Sequence, residues 1–150
     1  MKKNVLLLGA AVLFWATGCA SSQLTQEDLC RSVLPEFDRD FAQARNDLGP
    51  DLQRLPATQG SHPAQANWDG EKKDYWKEWS VSHLRKAQKI HELVSRLPAS
   101  DAGMKTAATE AADEWVLVYS YAENAEIGPM TESLQKIERQ HQKVRESACR

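Results

Sequence analysis

The sequence predicts an all-α protein, an antiparallel four-helix bundle with up-down-up-down connectivity. Two observations carry that prediction. Glycine and proline punctuate the chain at Leu48-Gly49-Pro50, Leu97-Pro98 and Ile127-Gly128-Pro129, leaving four long segments. Within each segment apolar residues recur in steps of three and four, the spacing of one helix face, and mostly short connections favour antiparallel neighbours.

The first segment opens at a Thr25 cap and places Cys30, Val33, Phe37, Phe41, Ala44 and Leu48 on one face. Pro35 lies ten residues past that cap. It either kinks the helix or begins it, in which case residues 25–33 form a separate turn. The second segment opens near Asp69 and aligns Trp76, Trp79, His83, Ala87, Ile90, Val94 and Leu97. The third, with Ser100 as cap and Asp101 behind it, aligns Met104, Ala108, Ala111, Trp115, Val118, Ala122 and Ala125. Its run from Trp115 to Tyr121 is rich in β-branched and aromatic residues, but no breaker interrupts Lys105 to Glu126, so the reading stays helical. The fourth, led by Pro129, aligns Met130, Leu134, Ile137, His141, Val144 and Ala148.

Ahead of these segments, Lys2 and Lys3 precede an uncharged, mostly aliphatic stretch from Val5 to Ala16. It is too short for the roughly 20 residues of a membrane-spanning helix and reads as the core of an export signal. The residues that close it, Ala16-Thr17-Gly18-Cys19, resemble the lipobox of bacterial lipoproteins, departing from it at Ala16, where Leu is usual. The resemblance implies cleavage before Cys19 and an acylated Cys19 as the first mature residue. The diacylglycerol and acyl lipid would be the only non-protein group, with no other cofactor and no metal. It further implies that Ala20 and Ser21 forward the protein to the outer membrane of a Gram-negative envelope, facing the periplasm. An ordinary signal cut at Gly18-Cys19-Ala20, releasing a soluble secreted protein, also fits these residues. The expected organisation is a signal over 1–18, a lipidated tether over 19–24 and one helical domain over 25–150.

Lipidation of Cys19 would leave Cys30 and Cys149 as a pair in an oxidising compartment, where a disulfide is expected over two free thiols. In an antiparallel bundle with an even number of helices, the start of the first and the end of the last lie together. The two cysteines fall there. Of the 19 Lys and Arg residues, Lys2 and Lys3 leave with the signal, so the mature chain carries 17 basic against 21 acidic side chains, a net charge of −4. With both signs interspersed, there is no basic patch for nucleic acid and no polybasic attraction to anionic lipid. Membrane association then rests on the acyl chains.

Only five residues separate Cys19 from Thr25, a reach of roughly 20 Å when extended. The first helix therefore leads away from the bilayer, and the 49–70 connection and the turn at 126–130 are expected at the far end. That connection, with a short helix expected between Pro50 and Pro56, is long enough to suggest a functional segment. Trp68, Tyr75, Trp76 and Trp79 follow closely. Beside an exposed loop they would serve as a hot spot for a protein partner or line a pocket for an apolar ligand. The other reading puts Trp76 and Trp79 in the core stripe and Trp68 as a plug in the open end of the bundle.

Catalytic motifs are scarce. Glu138 and His141 have the E-x-x-H spacing of di-iron bundles, but no second such motif accompanies them. His83 and His141 both fall on inward stripes, with His91 on a flank, a geometry open to a two-histidine site for metal or haem. Neither a G-x-S-x-G elbow nor an H-E-x-x-H pair nor a phosphate-binding glycine loop occurs. The expected role is therefore non-enzymatic: a lipid-anchored adaptor for another envelope protein, similar in outline to the pilot lipoproteins of secretion systems. A carrier or sensor of a hydrophobic ligand, haem or metal, and a lipoprotein that excludes phage or plasmids, fit the same outline.

Overall fold

A computed structural model describes residues 23–56, 62–98 and 101–150. The expected signal and lipobox, with Cys19, and the expected cap Ser100 lie outside the described residues. Among those described the secondary structure is helical throughout: α1 (Gln26–Asp28), a π-helical turn (Leu29–Val33), α2 (Leu34–Gln53), α3 (Gly70–Arg96), α4 (Ala102–Asn124) and α5 (Ile127–Ala148). The first three run on as one rod, so four long rods pack as a bundle. None is long and apolar enough to cross a membrane.

The first rod starts where the sequence predicts, at a Thr25 capping box whose hydroxyl accepts from Asp28 N while Asp28 reaches back to Thr25 N. Pro35 stands at the start of α2, as one of the two alternatives expects, but residues 26–33 run on into α2 without a break. The π turn just ahead of it widens the backbone ladder, Leu34 N–H reaching back five residues to the Leu29 carbonyl, and Pro35 occupies the first turn of α2, where no intrahelical donor is needed. The inserted residue also shifts the apolar register. Leu29 and Leu34, five apart, are both fully buried, whereas Cys30 and Val33 of the predicted stripe are only half-buried.

The other boundaries follow local chemistry, with three corrections. α2 does not stop at Gly49-Pro50 but continues to Gln53, so the expected separate helix after Pro50 is the end of α2. Pro50 sits in the last turns, where its missing N–H strands only the carbonyl of the exposed Asn46, which water can serve. The connection accordingly shrinks to residues 54–69. α4 is capped by Asp101, whose carboxylate accepts from Met104 N at 2.6 Å, and not by Ser100. Finally, the break between α4 and α5 falls at Ala125, which adopts a left-handed conformation (φ 53°, ψ 33°), and Gly128-Pro129 belong to the first turn of α5. Ala125 is held in that conformation by Glu126 N–H donating to the Tyr121 carbonyl, the closing bond of a Schellman turn.

Antiparallel neighbours are fixed by cross-rod pairs. Lys86 meets Glu36 at 2.5 Å and His83 meets Asp40 at 2.6 Å between α3 and α2. Ser133 donates to Glu114 at 2.6 Å between α5 and α4, and between α2 and α5 Asp38 meets Arg145 and Arg45 meets Glu138. The topology is the predicted up-down-up-down. Cys30 and Cys149 are joined by a disulfide, closing α5 onto the start of the first rod across 119 residues of sequence.

Alanines 107, 108, 111 and 122 line the buried face of α4 and let α3 and α5 approach it closely. Large rings from α2 fill the space opposite: Phe41 stacks on Trp115 at 6.0 Å and Phe37 lies 6.1 Å from it. Trp79 and His83 of α3 complete this aromatic centre at 5.3 and 5.1 Å from Trp115.

Candidate functional site

The end of the bundle opposite the disulfide is built around Asp51. Its carboxylate, in the last turn of α2, accepts from the Trp68 indole at 2.8 Å and pairs with Lys72 in the first turn of α3 at 2.5 Å. Partial burial alone would raise the Asp51 pKa. The hydrogen bonds from Lys72 and Trp68, with the charges of Lys72 and Arg54, outweigh it and hold the carboxyl below its ordinary value. Lys72 also lies 5.5 Å over the Trp68 ring. A further tie, Ala66 N–H to the Ala125 carbonyl at 2.8 Å, fastens the connection to the α4–α5 turn. These bonds draw the Trp68 ring into the bundle end, stacked 6.1 Å from Trp76.

Trp68 therefore plugs the bundle and Trp76 belongs to the core, both buried, and Trp79 is partly buried against Trp76 and His83. As a four-residue hot spot the cluster is corrected at these three positions, because an indole on the inward stripe gains more from burial than from exposure. Tyr75 alone presents its ring to solvent, 52% exposed. It stands edge-on to Trp76 at 5.2 Å and borders a groove of about 510 Å³ lined by Asp47, Asp69, Glu71, Lys72, Tyr75 and Trp76. Asp69 also serves as the α3 cap, accepting from Lys72 N at 2.8 Å.

Asp51→Asn keeps the shape of the Asp51 hub and removes its charge. It is expected to cost about 1–3 kcal/mol, since Lys72 and Trp68 lose an anionic acceptor. Chemical denaturation measures it, and Trp68 fluorescence should shift toward the exposed-indole range in the same variant. Because the folded-state pKa of Asp51 is lowered, this contribution is present above the ordinary carboxylate range and disappears as pH falls through the folded-state pKa.

The two inward histidines have opposite surroundings. His83 Nδ1 lies 2.7 Å from the Trp79 carbonyl and Nε2 lies 2.6 Å from Asp40 Oδ2. Both neighbours offer oxygen acceptors, so each ring nitrogen of His83 has a polar partner. His141 has neither nitrogen partnered, and its ring is 3% exposed. Burial, aided by the positive charges of Arg145 and His83, pushes its pKa down to about 3, leaving a neutral imidazole at ordinary pH. Phe37 touches both rings, at 5.4 Å from His83 and 4.4 Å from His141. Glu138 of the E-x-x-H spacing turns outward to Arg45 at 2.8 Å, away from His141. Among the described residues no group of three or more His, Cys, Asp and Glu side chains is arranged to hold a metal ion.

Neither a known protein family, nor a curated protein, nor a solved structure matches the chain. The residues themselves therefore carry the functional reading. Sequence spacing singled out Tyr75 but gave no indication of Asp51 or Asp40, whose partners lie 17 to 43 positions away.

Proposed function

We propose that this chain is a lipid-anchored envelope protein, held in the outer membrane through Cys19 and facing the periplasm, that acts as a non-enzymatic adaptor for another envelope protein. The observation that carries the reading is the Tyr75 groove. A half-exposed aromatic ring over a buried tryptophan, with Asp47, Asp69 and Glu71 around it, suits a partner segment that brings a basic side chain and some apolar surface. Orientation supports the same reading. The tether from Cys19 enters the bundle at its disulfide end, so an anchored molecule would hold the Tyr75 end away from the bilayer, where a partner would meet it.

A photo-cross-linking amino acid at Tyr75, compared in intact cells with the same residue at Lys89 toward the other end of α3, tests the proposal. A discrete protein adduct from position 75, absent from position 89 and lost on adding Glu71→Lys, is expected. No adduct, or the same adducts from both positions, would count against it.

A further inference from the structure

A second feature of the bundle lies away from the Tyr75 groove and does not depend on the adaptor reading. Between α2 and α5 is a cavity of about 240 Å³, lined by Phe41, Arg45, Leu48, Leu52, Thr131, Leu134 and Gln135. We propose that it binds a small, largely apolar molecule of about eight to ten non-hydrogen atoms. The size follows from comparison: an apolar core cavity of about 150 Å³ stays dry and takes up benzene, with six.

The chemistry of the walls selects the class of ligand. Phe41, Leu48 and Leu134 form the buried interior, and the partly exposed Leu52 stands where α2 ends. The polar groups that reach the space are already engaged. Arg45 is paired with Glu138 at 2.8 Å, and the Thr131 hydroxyl donates to the Ile127 carbonyl at 2.8 Å. A water in the cavity needs two to four polar partners and would find little beyond the Gln135 amide near the rim. On α5 the short Thr131 and the polar Gln135 face the space and leave it unfilled. An apolar guest restores the contacts those side chains do not make, and one polar group on it could face Gln135.

The test uses the full chain with methyl-labelled Leu and Thr and toluene as the probe. Saturable one-to-one shifts confined to Leu48, Leu52, Thr131 and Leu134 are expected. Leu52→Trp and Leu134→Phe, each placing more ring in the space, should weaken binding at least tenfold, while Leu117→Ala on the exposed face of α4 leaves it unchanged. Shifts that grow linearly with toluene, that spread over the surface, or that survive both filling substitutions would overturn the proposal. So would shifts at the same methyls that follow protein concentration without toluene, which would make a second copy the occupant. Should both filling variants fail to fold, the wild-type titration decides alone.

Discussion

Replacing Cys30 and Cys149 together by serine should lower the free energy of unfolding by about 4 to 5 kcal/mol, the chain-entropy value for a cross-link of this span. The bridge joins the π turn of the first rod to the end of α5, so without it the unfolded chain regains the freedom of nearly the whole domain. The size of the effect matters because a domain of this length has only about 5 to 15 kcal/mol of net stability. Denaturant titration of oxidised wild type against the double variant measures it. The variant should keep its helical far-ultraviolet signal in water, since the aromatic centre around Trp115 and the polar contacts between α2 and α3 do not involve the bridge. A loss of under 1 kcal/mol would mean that the unfolded chain is already held compact by other contacts.

Acid should weaken the fold through His141. In the unfolded chain a histidine takes up a proton near 6.5, whereas the buried ring does so only near 3. Between those values the unfolded state holds more protons, so stability is complete above about 6.5 and declines as pH falls toward 3, by about 4 kcal/mol at the lower limit. His141→Phe isolates this contribution from the carboxylates that titrate in the same range. The variant should lose stability less steeply between pH 6.5 and 3 than wild type. At pH 7 it should match or exceed wild type, because an apolar ring of similar shape replaces two buried ring nitrogens with no partner. Thermal unfolding across pH checks both statements, and parallel profiles for the two proteins would show that His141 is hydrated.

The two effects also mark where sequence reasoning succeeds and where it stops. The stripes of α3, α4 and α5 were legible because a helix repeats every 3.6 residues and the buried face must be apolar: Ala87, Ile90, Val94, Trp115, Val118, Ile137 and Val144 are all buried. The first rod was less legible. A π turn adds a residue to one coil of the helix, which breaks the three-four rhythm at Leu29 and Leu34, and nothing in a list of apolar positions announces it. Pro50 misled for a related reason, since a proline near a helix end strands a single carbonyl and is tolerated there.

The candidate site was legible only in part. Four aromatic residues in a short stretch marked the end of the bundle opposite the disulfide, but whether an indole faces inward depends on the groups that hold it. Trp68 is drawn in by Asp51 and by the backbone tie of Ala66 to Ala125, contacts that join separate rods and leave no local signature. The histidines show the same limit. Their stripe positions placed both inside, while the acceptors around His83 and their absence around His141 emerge only from packing.

The proposed role rests on anchorage through Cys19, which would direct the Tyr75 groove away from the membrane. Intact-mass analysis of the protein extracted from cell membranes tests it directly. A mature chain beginning at Cys19 and carrying a diacylglyceryl group and an amide-linked acyl chain is expected; an unmodified chain, cut elsewhere or still beginning at Met1, would contradict the proposed anchorage.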